Sequence, residues 1–288
     1  MRAVYKKELS SFFRSMTGYV LIAFLVTFTG VYFMIYNLSQ GYPYFSYTLS
    51  SIMLVLLVLV PVLTMRSFAE ERKSKTDQLL FTSPVKISSI VIGKYLAMVT
   101  VYLLPNLLFC LFPLIIKMQG NAYLQSDYAS IFQFFLMGCV FIAVGMFFSS
   151  LTESPIIAAV STFAATLVLY IWEYLVNYLP SGAVSNFIAI LILAEGCMVL
   201  VWYVTKNRYL TAALGAAAAV LLIVLFIVDS SSFENLLSNL LGNLDVSKAF
   251  NNAAFNNIFD VSGVVMELTG IGLFVFFTVQ SLEKRRWS

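Results

Sequence analysis

The chain has 288 residues, of which 60% are hydrophobic and 11% are charged, and its formal net charge is +3. Soluble domains carry about 25% charged residues, so this composition excludes a single water-soluble core and predicts a chain that uses lipid as its solvent. The sequence contains no histidine, which excludes histidine-based metal sites and histidine general bases. We therefore expect no metal site.

Apolar runs of about 20 residues predict eight membrane-spanning helices. The predicted spans are 17–37, 47–66, 91–116, 130–150, 156–178, 186–204, 209–228 and 260–281. Pro61 lies inside the second span, and Pro105 and Pro113 lie inside the third. These prolines predict a kink or break in both helices, with an interruption of the long third span near Pro105.

The distribution of charge predicts that both termini are cytoplasmic. If the N-terminus is cytoplasmic, all of the 17 basic residues except Lys117 and Lys248 lie on that side of the membrane. Basic residues concentrate in cytoplasmic segments of membrane proteins, and an even number of spans returns the C-terminus to the same side. The predicted fold class is therefore all-α, a polytopic transmembrane helical bundle.

Three segments lie outside the predicted spans. Residues 1–16 mix apolar and basic side chains, which favours a helix in the inner membrane interface. Residues 67–90 form the largest cytoplasmic loop. Residues 229–259 form an outer amphipathic segment, and its apolar stripe at helical spacing is formed by Leu236, Leu237, Leu240, Leu241 and Leu244.

The loop 67–90 has the features of a docking helix. Thr76 is a suitable cap for a short helix, because its hydroxyl can accept a hydrogen bond from a backbone amide of the first turn. Leu79 and Leu80 give that helix an apolar patch, and Pro84 ends it. A short amphipathic helix between two spans is suited to docking a partner; a solvated, positively charged loop is the alternative.

Two further groups of residues are candidates for function. Glu153, Ser154 and Pro155 form a cytoplasmic turn, which is either a second partner contact or a plain helix start. The acids Glu173, Glu195 and Glu267 fall within predicted spans. Ionisable residues inside a membrane are costly and often functional, so these acids form a substrate or proton path, or else are protonated and hydrogen-bonded between helices.

The cytoplasmic loop resembles the loop between the second and third spans of ABC-2 type transporter permeases. Within that resemblance it is closest to the gliding-motility-associated ABC permease subfamily. The positions in register are Arg66, Phe68, Ala69, Glu70, Glu71, Arg72, Thr76, Leu79, Leu80, Thr82, Pro84 and Val85, followed by Gly93, Lys94, Tyr95, Leu96 and Ala97. The sequence departs from the pattern at Lys75, where glycine is usual, and at Gln78, where glutamate is usual.

The resemblance extends to residues 5–13, to the turn 149–155 and to the tail 279–287. It implies an elbow helix over 1–16 and a permease domain over 17–288, with a core of six helices similar to that of type V exporters. The pair of spans at 186–228 is then an insertion before the last span.

The resemblance also implies that the loop 67–90 docks into a separate cytoplasmic ATPase subunit. The implied coupling residues are Glu70, Glu71, Arg72, Thr76, Leu79, Leu80, Thr82 and Pro84. A second contact is implied at Glu153, Ser154 and Pro155. The sequence has no G-x-x-x-x-G-K-[ST] phosphate loop, so ATP and magnesium belong to the partner and this chain carries no cofactor or catalytic residue.

The implied function is that of a non-catalytic permease subunit of an ATP-driven exporter in the bacterial plasma membrane. A second permease subunit, identical or different, is expected, and no nucleic acid. Two alternatives stay open: a proton-coupled secondary transporter that uses the intramembrane acids, and an ABC complex that performs mechanical or signalling work. An intramembrane enzyme is disfavoured, because the sequence offers no histidine, no Ser–Lys or paired-Asp arrangement and no metal cluster.

Overall fold

A computed structural model describes residues 1–76, 85–206, 208–228 and 230–287 of the chain. These residues form helices joined by short connections, with no β-strand in the described ranges. The all-α prediction is confirmed. In a bilayer a helix satisfies its backbone hydrogen bonds within one segment, so long apolar runs fold in this way.

The described α-helices are numbered in chain order. They are α1 (Arg2–Arg14), α2 (Thr17–Phe33, continued by a π-helical turn at Met34–Ser39), α3 (Ser46–Thr64), α4 (Ala69–Lys73), α5 (Ile87–Phe109), α6 (Phe112–Gln119), α7 (Leu124–Leu151), α8 (Pro155–Tyr170), α9 (Trp172–Asn177), α10 (Ala183–Thr205), α11 (Arg208–Val228), α12 (Leu236–Gly242), α13 (Lys248–Phe255) and α14 (Val261–Trp287).

Five helical segments of the described chain are long and apolar enough to cross a membrane. They are Thr17–Ser39, Ser46–Lys73, Ile87–Gln119, Leu124–Leu151 and Val261–Arg286. Helix α8 (Pro155–Tyr170) is a shorter apolar helix, and shorter apolar stretches lie within α10 and α11, at Ala183–Gly196 and Leu214–Val228. The chain is therefore a multi-pass membrane protein, and the count of eight spans and the position of the termini stay predictions.

The helix boundaries differ from the predicted spans at two places. The span predicted at 156–178 is divided, because α8 ends at Tyr170 and α9 begins at Trp172. The third span continues through Pro105, and the break between α5 and α6 falls at residues 110–111 instead. Pro113 lies in the first turn of α6, where its missing amide hydrogen costs nothing.

The described residues form two compact units. One contains Met1–Tyr170 with Val246–Ser288, and the other contains Ile171–Asp245. The second unit includes the predicted helix pair at 186–228. The predicted outer segment 229–259 is divided between the units, with α12 in the second and α13 in the first.

In the first unit, α7 is the central helix. Most of its residues are buried, and it packs against α3, α5, α8, α13 and α14. Gly138 lies against the ring of Tyr102 of α5, whose hydroxyl donates a hydrogen bond to the Phe134 carbonyl at 2.9 Å. Gly145 lies where Thr64 of α3 and Thr162 of α8 approach α7. Small residues at such crossings let membrane helices approach closely.

Polar contacts fix the N-terminal end of α3, opposite the end that carries Thr64. The buried Asp127 of α7 accepts a hydrogen bond from the Phe45 amide at 2.8 Å, which satisfies a donor at the start of α3. Ser46 donates its hydroxyl to the Ala254 carbonyl of α13 at 2.8 Å. The start of α3 is therefore held by a side chain of α7 and by a backbone carbonyl of α13.

Asp260 caps the last helix, α14. Its Oδ1 accepts hydrogen bonds from the Ser262 hydroxyl at 2.6 Å and the Gly263 amide at 3.1 Å, and its Oδ2 accepts one from Asn252 at 3.0 Å. The hydrogen bond from Ser262 is the main cause that lowers the pKa of the Asp260 carboxyl. The carboxylate also lies at the positive end of the helix dipole.

The second unit is held by aromatic contacts and one buried amide. The rings of Phe187 on α10 and Phe226 on α11 lie 4.7 Å apart. The buried Asn186 donates to the Pro180 carbonyl at 2.8 Å and accepts from the Leu237 amide at 3.2 Å. Within the predicted leucine stripe, the side chain of Leu237 is buried and that of Leu240 is exposed.

The close contact of Gly145 with Thr64 and Thr162 gives a stability test. Replacing Gly145→Ala places a methyl group against Thr64 and Thr162, and overpacking of this kind costs about 1–3 kcal/mol. We expect a lower midpoint of thermal unfolding in detergent, measured by size-exclusion chromatography after heating. The control is Gly30→Ala on α2, where a methyl group meets no atom within 4 Å. A Gly145→Ala variant as stable as this control would contradict the close packing.

Candidate functional site

A buried lysine lies at the centre of a polar cluster on the end of the bundle that carries the N-terminal helix. Lys94 of α5 is 3% exposed. Its ammonium lies 2.7 Å from Glu71 Oε1, 2.7 Å from the Ser67 carbonyl oxygen and 3.3 Å from Glu8 Oε1. It also lies over the ring of Phe68, 5.0 Å from the centroid. An ammonium group has three donors, so these partners satisfy its charge and its hydrogen bonds.

The close approach of α1 to α5 places Glu8 within reach of Lys94. Gly93 has no side chain to hold α1 away, and a methyl group there would lie 3.3 Å from the Met1 carbonyl and from Val4. The Tyr5 hydroxyl and the Thr100 hydroxyl lie 3.1 Å apart and share a hydrogen bond. The N-terminal helix is thereby held along α5.

Ser149 of α7 positions the start of α4. Its hydroxyl donates to the Met65 carbonyl at 3.1 Å and accepts from the amides of Phe68 and Ala69, each at 3.2 Å. These amides belong to the first turn of a helix and have no intrahelical partner. The short helix that carries Glu71 and Arg72 is thus attached to the central helix.

Arg72 connects α4 to the turn after α7. Its Nη1 donates to the Ser150 carbonyl at 2.8 Å, and its Nη2 lies 3.5 Å from Glu153 Oε1. The same carboxylate oxygen lies 3.7 Å from Nη2 of Arg285 on α14. The Glu153 side chain is 65% exposed, so solvent weakens both ion pairs.

A cleft of about 600 Å³ opens beside this cluster. It lies between α1 and the residues that join α3 to α4. Its lining is formed by Lys7, Glu8, Ser11, Phe12, Ser15, Thr17, Arg66, Ser67, Glu70, Glu71, Ser74, Thr76 and Lys94.

The profile of the family described as "ABC-2 family transporter protein" matches residues 36–228, more than half of the chain. The chain belongs to this ABC-2 family. Comparisons with curated proteins and with solved structures found no significant match. The matched range contains the predicted helix pair at 186–228 and ends before α14, and the finer assignment to the gliding-motility subfamily stays a prediction.

In this ABC-2 permease, several of the predicted coupling residues meet in one place. Glu71 pairs with Lys94, and Arg72 pairs with Glu153. Glu70 and Thr76 line the cleft, and Thr76 also donates its amide to the Glu71 carbonyl at 3.0 Å. Glu71 and Arg72 are therefore occupied by contacts within the chain.

The other predicted contact residues divide into two groups. Leu79, Leu80, Thr82 and Pro84 lie outside the described residues. Ser154 accepts a hydrogen bond from the Thr152 hydroxyl at 3.2 Å through its carbonyl, and Pro155 is the first residue of α8. Proline at this position begins a helix readily, as the sequence predicted.

Sequence reasoning gave no role to Lys94, Glu8, Ser149 or Arg285. A signal for Lys94 was present, because a lysine flanked by apolar residues near a helix end needs a partner. The identity of that partner was not readable, because Glu8 and Glu71 are distant from Lys94 in sequence.

The three intramembrane acids of the prediction are divided between the two units. Glu173 and Glu195 belong to the second unit, and Glu267 belongs to the first. Glu267 is 1% exposed, and neither of its carboxyl oxygens has a hydrogen-bond partner among the described residues. Glu195 faces Gly215, where a methyl group would lie 3.1 Å from its Oε2.

The lysine cluster gives a second stability test. Replacing Lys94→Met leaves the Glu8 and Glu71 carboxylates without their shared cation, and removing one partner of a buried ion pair costs on the order of 3–5 kcal/mol. We expect a large fall in the midpoint of thermal unfolding in detergent. The triple variant Lys94→Met, Glu8→Gln, Glu71→Gln removes all three charges and is expected to recover most of the loss. A triple variant as unstable as Lys94→Met alone would show that charge pairing is not the cause.

Proposed function

We propose that this chain is the membrane subunit of an ATP-driven ABC-2 exporter and transmits movement from a cytoplasmic ATPase subunit to its own transmembrane helices. The observation that carries the proposal is the attachment of the α4 segment on both sides. Lys94 ties it to α1 and α5, and Arg72 ties it to the turn after α7.

The attachment of α4 bears on function because of where α4 lies in the chain. Residues 77–84 follow three residues after the end of α4, and the resemblance to ABC-2 permeases implies that they dock into the ATPase. A displacement of the loop would act on α4 and pass through charged contacts into neighbouring helices. In this proposal Glu71 and Arg72 transmit the displacement, whereas Leu79, Leu80, Thr82 and Pro84 touch the partner.

The partner and the assembly follow from what the chain itself carries. Since the sequence has no phosphate loop, ATP and magnesium would be bound by the ATPase subunit. A second permease subunit would complete the translocation pathway, and the complex would lie in the bacterial plasma membrane. The turn at Glu153, Ser154 and Pro155 is adjacent to Arg72 and would form the second cytoplasmic contact.

A proton-coupled secondary transporter is the competing proposal. It is favoured by Glu267, a buried acid without a hydrogen-bond partner in the described part of the chain. It gives no reason for the ionic attachment of α4, because such a transporter needs no docking loop. An ABC complex that performs mechanical or signalling work would use the same attachment and differ only in what is moved.

The docking of the loop is tested by replacing Leu79→Asp and Leu80→Asp together. The charges should remove the apolar patch, so an ATPase subunit should no longer co-purify with the tagged chain from native membranes. The measurement is labelling of the purified complex with a photoreactive ATP analogue. The control is Lys73→Gln, an exposed position on α4, which should keep the partner. Labelling of the double variant at the control level would refute the docking site.

Transmission is tested separately with Glu71→Gln, which weakens the link to Lys94 and leaves residues 77–84 unchanged. We expect the ATPase to co-purify in normal amount, while ATP hydrolysis by the complex in lipid nanodiscs falls at least about fivefold, the lower end of usual coupling free energies. Lys73→Gln should hydrolyse ATP normally. If Glu71→Gln hydrolyses ATP at the control rate, the cluster is structural and does not transmit.

A further inference from the structure

The cleft beside Lys94 continues into an apolar groove. The groove has a volume of about 250 Å³, and its apolar lining comes from α2 and α3 and includes Val20, Leu21, Leu59, Val62 and Leu63. Phe12, Ser15, Thr17 and Arg66 line both spaces. A polar cavity and an apolar groove therefore meet at these four residues.

The connection between α1 and α2 forms one wall of the junction. Met16 adopts a left-handed backbone conformation with φ 59°, and the hydroxyls of Ser15 and Thr17 lie 2.9 Å apart. The tight connection brings the polar end of α1 directly above the first apolar turn of α2. Val20 and Val62 are exposed along the groove, so its apolar side is open to the hydrocarbon of a bilayer.

The cleft and the surface of α1 beside it together carry an excess of positive charge. The charged residues that line the cleft are three cations and three acids, Lys7, Arg66, Lys94, Glu8, Glu70 and Glu71, so their formal charges balance. Both acids of α1 and α4 that contact Lys94 are held by it, whereas Lys7 and Arg66 form no ion pair with a described residue. The surface of α1 next to the cleft adds Lys6 and Arg14, which gives the region its excess of cations. Arginine binds phosphate oxygens in a bidentate geometry.

From these features we infer that the junction binds one anionic phospholipid, with its phosphate at Arg66 and Lys7 and an acyl chain in the groove between α2 and α3. The hydroxyls of Ser15 and Thr17 form a hydrogen bond with each other, and the hydroxyl that accepts in this pair can donate to the headgroup. The site is at the depth where a lipid headgroup and its chains separate, because the same residues border the charged cleft and the apolar groove. A basic surface attracts anionic lipids by about 1 kcal/mol for each cation.

The inference does not depend on the proposed transport function, because it is tested on the purified chain without an ATPase. Delipidated chain is mixed with dioleoyl phosphatidylglycerol, and bound lipid is counted by native mass spectrometry. We expect one retained phosphatidylglycerol molecule and weaker retention of the zwitterionic dioleoyl phosphatidylcholine. Arg66→Gln should lower the affinity for phosphatidylglycerol about fivefold.

Paired variants test the groove. Val62→Trp fills it, and Val58→Trp adds the same bulk one helical turn away on the same face, outside the lining. Val62 and Val58 are exposed to a similar extent, 48% and 53%, so the second variant controls for the added ring. Val62→Trp should lose the retained lipid, and Val58→Trp should keep it.

Three further results would overturn the inference. Arg66→Gln is an exposed substitution that is expected to fold, so unchanged lipid retention by this variant would exclude the headgroup site even if Val62→Trp does not purify. Competition by soluble glycerol 3-phosphate at the concentration of the lipid would show a site for a free phosphate compound. Equal retention of phosphatidylcholine would exclude the anionic preference.

Discussion

A lysine ammonium that is removed from water must keep its counter-ions, and this requirement organises one end of the bundle. The side chain of Lys94 is 3% exposed, and its contacts come from α1, from α4 and from Ser67 in the connection between α3 and α4. If α1 or α4 moves away, the buried ammonium loses one of its two carboxylate partners, and weakening a buried ion pair in this way is costly. The positions of α1 and α4 are therefore coupled through a single side chain.

The packing of the rest of the first unit depends on two glycines of α7, which let neighbouring helices approach it closely. Gly138 and Gly145 allow Tyr102, Thr64 and Thr162 to approach its backbone. In lipid the association of helices relies on such close packing, because hydrocarbon already solvates apolar side chains. Ser149 lies on the same helix, and its hydroxyl accepts hydrogen bonds from the amides of Phe68 and Ala69 at the start of α4. Helix α7 therefore supports both the packed core and the lysine cluster.

The sequence was sufficient for the features that are local and repetitive. Apolar length alone located α2, α3, α5, α7 and α14, since the bilayer requires long, uninterrupted helices. It did not reveal the break at Ile171, because neither proline nor glycine stands there and only tertiary context ends α8.

Among the residues of the candidate site, Glu71 and Arg72 were recognised as functional candidates from the loop motif. Their partners Lys94 and Glu153 are separated from them in sequence, and nothing in the local pattern specifies such pairs. The buried contact between Asp127 and the Phe45 amide joins residues 82 positions apart and is equally invisible in the local pattern.

The ionic contacts of the cluster differ in strength, and the difference indicates where movement would begin. Lys94 and its carboxylates are shielded from solvent, whereas Glu153 is 65% exposed and pairs with Arg72 and Arg285 at 3.5 and 3.7 Å. Exposed pairs at these distances contribute about 0–1 kcal/mol and are screened by salt. A force applied to the loop after α4 would therefore separate Arg72 from Glu153 before it separates Glu71 from Lys94. Arg72 would still hold the Ser150 carbonyl at 2.8 Å, and the Phe68 and Ala69 amides would still donate to Ser149, so α4 would remain attached to α7 after the exposed pair opens.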